Sequence, residues 1–142
     1  MRGASRRASI LIAIVFAFSL IGATAGCVSD EFGDVEARGV VEFAANRSGF
    51  DEAAQSIIER APLNDDAVLM PGAYGELSPG GDPALYRIGG RTYVVFPQRT
   101  ADPDHTYVYV FAPRSESLPQ GITGADSTSR RMSGDWWKAI VQ

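Results

Sequence analysis

The chain has 142 residues, 45% of them hydrophobic and 21% charged, with one cysteine, one histidine and a formal net charge of −4. All 17 acidic residues lie beyond residue 26, against ten basic ones in the same portion, which leaves that portion near −7. This balance argues against nucleic acid as a partner and against electrostatic attachment to anionic lipid. A single cysteine excludes an intramolecular disulfide.

At the start of the chain, Arg2, Arg6 and Arg7 precede an uncharged apolar run from Ile10 to Ile21, and small residues from Gly22 to Gly26 lead to Cys27. A basic start, a short apolar core and small residues are the order of a secretory signal. The stretch Thr24-Ala25-Gly26-Cys27 resembles the lipobox of bacterial lipoproteins, with Thr24 standing where that family most often has Leu. The resemblance implies removal of residues 1–26 and a diacylglyceryl group on Cys27, with palmitate-type acyl chains holding the protein to the membrane. Two or more such chains anchor firmly, where one holds only reversibly. Val28 rather than Asp follows the cysteine, which in a two-membrane bacterium implies the outer membrane.

Two other readings of the same residues stay open. Ala23-Thr24-Ala25 fits ordinary signal cleavage, which releases a soluble chain from Gly26. The uncharged stretch Ala8–Ser29, 22 residues, is also long enough to cross a bilayer. Under all three readings, the early arginines keep the N-terminus inside and place the rest of the chain outside the cytoplasm.

Residues 27–34 read as the lipidated cysteine and an acidic, polar tether. From 35 to 45, Ala37, Val40, Val41 and Ala44 fall at helical spacing, while Val41, Phe43 and Ala45 would line one face of a strand; the spacing favours helix, against the cost of Gly39. Ser48 to Ala61 is the clearest element. Phe50, Ala53, Ala54, Ile57, Ile58 and Ala61 form one helical stripe, Ser48 is placed to cap it and Pro62 stops it. Ala67–Met70 suggests a brief strand, and Pro71–Pro83 a glycine- and proline-rich loop. Leu85–Ile88, Gly89-Gly90 and Arg91–Phe96 carry a hairpin signal, and Thr106–Ala112 a further strand.

Residues 113–135 are rich in Ser, Gly, Thr and charge and read as a flexible linker, after which 136–142 returns to apolar as a last strand or short helix docking on the domain. The expected fold is α+β: one or two helices packed on a small antiparallel sheet of about three to four strands, with residues 35–112 as the domain.

Candidate chemistry centres on the strand after His105. Tyr107, Tyr109 and Phe111 share one face and Val108, Val110 and Ala112 the other. The aliphatic face suits the helix. The aromatic face, with Trp136 and Trp137, is then either a binding surface for a protein or cell-wall glycan, or a core closed by those tryptophans. His105, the only histidine, lies beside Asp102 and Asp104, and a small hydrolase using it with carboxylates is the alternative activity. A transition-metal site usually needs three or four N or S ligands, and one imidazole with no spare thiol does not supply them, so no metal or cofactor is expected. Asn64-Asp65-Asp66 reads as a turn and Arg130-Arg131 as a solvated pair or a site for envelope proteases. The expected function is a lipid-anchored, non-catalytic interaction module or, with no ligand, a spacer.

Overall fold

The structure, a computed structural model, describes residues 40–63, 67–99, 104–125 and 127–141. In chain order its elements are helix α1 (Phe43–Arg60), strands β1 (Ala67–Leu69), β2 (Ala84–Ile88), β3 (Arg91–Gln98) and β4 (Thr106–Phe111), the one-turn helix α2 (Gln120–Thr123), and strands β5 (Thr128–Arg131) and β6 (Trp136–Val141). The strands form one sheet in the order β1-β2-β3-β4-β6-β5, every neighbouring pair antiparallel. No helix among the described residues is long and apolar enough to cross a membrane.

Six strands and one main helix correct the expected three to four strands; the fold is mostly β. The largest surprise is β5. All four of its residues, Thr-Ser-Arg-Arg, are exposed, so no apolar alternation marks it. It exists because β6 offers it a pairing edge, from Thr128↔Ile140 to Arg131↔Trp137. Residues 113–135 therefore hold a helical turn and a strand where a linker was expected. Their path is a crossover: the chain leaves β4, passes over one face of the sheet through α2, and lands beyond β6.

Helix α1 starts at Phe43, ahead of the expected cap. The reason is packing, since Phe43 extends the buried stripe of Phe50, Ala53, Ala54 and Ile57. Ser48 is consequently inside the helix. Glu42 holds the N-cap position without a side-chain cap bond, and Asn46 Nδ2 donates to the Glu42 carbonyl at 2.9 Å. Of the expected helix over 35–45, residues 40–42 are irregular and 35–39 lie outside the described residues. The C-terminal end is as the sequence suggests, with Arg60 last, the Ala61 N–H donating to the Ile57 carbonyl at 3.0 Å, and Pro62 next.

The two sheet faces are assigned opposite to expectation. Helix α1 packs on Leu85, Val94, Phe96, Tyr107, Tyr109, Phe111, Trp136 and Ile140. Its small residues Ala53 and Ala54 leave room for large rings, so the aromatic face is the one that fits it. Trp136 stands at the centre, with ring centroids 5.1–5.8 Å from Phe43, Phe50, Phe96 and Phe111. Its indole N–H donates to Asp51 Oδ1 on α1 at 2.7 Å, which satisfies the polar edge of a buried ring. The aliphatic face, with Val95, Val108, Val110, Ala112 and Ala139, is covered by the thinner β4–β5 crossover through Leu118 and Ile122. Adjacent residues of a strand point to opposite faces, so Trp137 joins this second layer.

Two turns fix the register. The β2–β3 hairpin turns on Gly89 and Gly90, at φ 59° and 75°, the paired positive values that a two-residue turn following the strand twist requires. The Pro71–Pro83 loop is drawn onto β3 by Ser78 Oγ and the Gly80 N–H, which both donate to the Pro97 carbonyl, at 3.0 and 3.1 Å. A Cβ on Gly80 would stand 2.5 Å from the Gln98 carbonyl oxygen, so only glycine permits that approach.

Candidate groove at the chain entry

The five residues of the expected aromatic surface are all buried: Tyr107 at 0% exposure, Tyr109 at 2%, Phe111 at 7%, Trp136 at 1% and Trp137 at 7%. They form no binding surface. Helix α1 covers four of them and the crossover covers the fifth. Cys27 and Asn64-Asp65-Asp66 lie outside the described residues, as do Asp102 and Pro103 beside His105. His105 itself is half-buried just before β4. Among the described residues, no group of three or more His, Cys, Asp or Glu is arranged to hold a metal ion.

A concave site among the described residues lies elsewhere, between the start of α1 and the β5–β6 end of the sheet. It is a groove of about 580 Å³ with residues 40–44 on one wall and 130–133 on the other. Its floor is a cross-strand row, Arg130–Lys138–Tyr109, set side by side by the β5–β6 and β6–β4 registers.

Each wall is held by side chains whose bonds explain why the groove keeps its shape. On the α1 side, Val41 is gripped at both backbone groups. Tyr109 Oη donates to its carbonyl at 2.9 Å, and its N–H donates to Gln98 Oε1 at 3.3 Å. Gln98 is 2% exposed and its Nε2 also donates to the Leu77 carbonyl at 2.7 Å, tying the Pro71–Pro83 loop to the same point. An amide buried on β3 thus does for Val41 what a sheet partner would do. Beyond the groove, Arg47 links the walls: its Nη1 donates to Ser133 Oγ and its Nε lies 3.6 Å from Asp51 Oδ2, the carboxylate that also receives Trp136.

Charge sets the groove apart from the rest of the molecule. Among the described residues, Arg130 and Lys138 stand on its floor, Arg131 borders it and Glu42 is the carboxylate of its lining, in a chain whose portion beyond residue 26 has 17 acidic and ten basic residues. Arg131 borders the groove but turns its charge to the other face of the sheet, with its Nε donating to the Gly134 carbonyl at 3.1 Å and its guanidinium 5.9 Å from the centre of the Trp137 ring of the second layer. Lys138 is the only lysine in the chain. Val40, Phe43 and Met132 add apolar lining. Cations beside apolar residues along an open groove suit an extended ligand with carboxylates and some hydrophobic contact.

From the sequence alone Arg130-Arg131 is a solvated pair or a protease site, and Lys138 has no assigned role. A usable signal was present. Ser133-Gly134-Asp135 is a turn between two extended runs, which is a hairpin pattern, and a hairpin brings Arg130 opposite Lys138. Comparison of the chain with family models, with curated proteins and with solved structures finds no match.

Proposed function

We propose that this protein is an exported lipoprotein whose domain is a non-catalytic interaction module, binding an acidic polypeptide segment of an envelope partner in the groove between α1 and β5–β6. The observation that carries this reading is the pair of cations Arg130 and Lys138, set side by side on the floor of one groove of an otherwise acidic chain. A net negative domain repels most acidic partners, so a local reversal of sign selects both a partner and its orientation. The lipobox-like Thr24–Cys27 supports the anchored location. Cys27 is 13 residues before Val40, a span of at most about 47 Å when fully extended. A module so tethered meets partners at or near the membrane surface.

The glycan version of the interaction reading loses its support, because it relied on Tyr107, Tyr109, Phe111, Trp136 and Trp137 being exposed. The hydrolase alternative gains none, since His105 is not among the residues that line the groove.

The test is a photo-crosslinking residue placed at Met132 on the groove rim, in cells, with and without Arg130→Glu and Lys138→Glu. The expected result is one envelope protein crosslinked through an acidic segment, identified by sequencing the joined peptide, and lost on charge reversal. Adducts indifferent to the two charge reversals, or absent altogether, would refute the groove as the contact surface. Location is tested by the intact mass of the protein from the membrane fraction, which should equal residues 27–142 plus a diacylglyceryl group and should lose that group in Cys27→Ser. An unmodified chain starting at Gly26 in the soluble fraction would refute the anchor.

A further inference from the structure

The paired arginines Arg130 and Arg131 end the edge strand of the sheet. Strand β5 is extended and pairs with β6 on one side; among the described residues no strand pairs with its other side. All four of its side chains are exposed, so lifting it from β6 uncovers little apolar area, and local opening there needs far less than unfolding the domain. The turn after it exposes Ser133 and Gly134. A protease takes its substrate as an extended strand paired through the backbone, and this edge carries the side chain that an arginine-specific protease reads. We propose that the Arg131–Met132 bond is a processing site for an arginine-specific protease of the envelope, and that the cut splits one wall of the groove while β6 stays in the sheet.

The other described arginines are less suitably placed. Arg47 and Arg60 lie in α1, where the backbone is not extended. Arg87 and Arg91 belong to the interior strands β2 and β3. Arg114 is held at φ 57°, with its N–H donating to Asp135 Oδ1 at 3.1 Å. Arg99, exposed just after β3, is the competing site. Within the pair, Arg130 is on the groove floor opposite Lys138, whereas Arg131 lies exposed on the other face. In the cut, the hydroxyl of water joins the Arg131 carbonyl carbon, the C–N bond breaks, and the remaining proton goes to the Met132 nitrogen. Residues 132–142 then stay in place through the β4–β6 pairs, from Thr106↔Val141 to Phe111↔Trp136, and through the buried Trp136 ring. The wall formed by residues 130–133 loses its continuity, and a new carboxylate stands at the end of β5 beside Arg130. That carboxylate repels an acidic ligand, so the cut ends binding. This consequence rests on the groove being the site that takes acidic segments; the cleavage site does not.

The experiment treats the full chain, purified from membranes in detergent, with a limiting amount of trypsin. The expected first cut beyond residue 40 is Arg131–Met132, giving a product heavier by one water that elutes as one species and separates into two chains in denaturant. Arg47→Ala, which removes the bond to Ser133, should speed this cut and leave cleavage at Arg99 unchanged. A first cut at Arg99 or Arg114, or no effect of Arg47→Ala, would overturn the local opening of β5. In cells, the two-chain form is expected in the envelope fraction and should be absent from Arg131→Gln; uncut native chain alone would overturn the processing. Binding is read by the anisotropy of a fluorescein-labelled peptide of alternating Glu and Val, after the protease is inhibited. It should bind the intact chain and be lost from the cut one. Equal, measurable binding by both would overturn the control by cleavage and leave the groove reading standing, whereas no binding by either would overturn the groove reading and leave the cleavage site standing.

Discussion

Replacing Tyr109 with phenylalanine removes one oxygen and leaves the ring. The ring contacts with Phe43 and Phe50, each at 5.3 Å between centroids, and with Tyr107 at 5.4 Å are retained. What disappears is the 2.9 Å bond to the Val41 carbonyl. A neutral intramolecular hydrogen bond contributes about 1 kcal/mol net, and an acceptor left without its donor in a dry site costs up to about 3. Val41 is half-buried, so water recovers part of the loss and the expected cost is about 1 kcal/mol. For a domain of about 100 residues that corresponds to a Tm lower by about 4–8 °C. Urea unfolding followed by tryptophan fluorescence should show a lower midpoint with an unchanged slope, because the surface exposed on unfolding is the same. Hydrogen exchange should accelerate at residues 41–46 more than in β3 and β4. Unchanged stability would refute the grip on Val41, and a loss above about 3 kcal/mol would show that the hydroxyl does more than hold that one carbonyl.

Trp136→Ala removes the ring that touches Phe43, Phe50, Phe96 and Phe111, at an expected cost of about 3–5 kcal/mol by denaturation; a cost below about 1.5 would mean that this cluster is not the centre of the core. Gly80→Ala places a methyl against the Gln98 carbonyl and should cost about 1–3 kcal/mol, read as a lower urea midpoint; a neutral result would refute the close approach of that loop to β3. Ser48→Ala should be neutral or stabilise by up to about 0.5 kcal/mol, since alanine is the better interior helix former. A loss of about 1 kcal/mol there would put the helix start back at Ser48.

What the sequence made legible follows from how each element is buried. The Phe50–Ile57 stripe and the Gly89-Gly90 hairpin could be read directly, because each answers to a local rule of spacing or turn geometry. The start of α1 could not, since Phe43 joins the helix to fill the space beside Trp136, a residue 93 positions later. Which face of β4 meets the helix was equally hidden. Both faces are apolar, and the choice depends on the volumes of Ala53 and Ala54 opposite them. Strand β5 was invisible because an exposed edge strand needs no apolar residue, only a neighbour to pair with. The groove inherited that blindness, since one wall and part of its floor come from β5 and β6, which had to be recognised as a hairpin before Arg130 and Lys138 could be seen side by side.

The position of β6 between β4 and β5 has a consequence for the order in which the molecule can assemble. It is the last described element in the chain, yet it is an interior strand. Until residues 136–141 are present, β5 has no described neighbour to pair with and α1 lacks Trp136 beneath it. The β1–β4 portion can pair earlier through near neighbours, but the sheet closes only once residues 136–141 are made, through contacts of high sequence separation, which form slowly. A cut or stall ahead of Trp136 before that closure would release an open β4 edge, a product prone to aggregation and open to quality-control proteases.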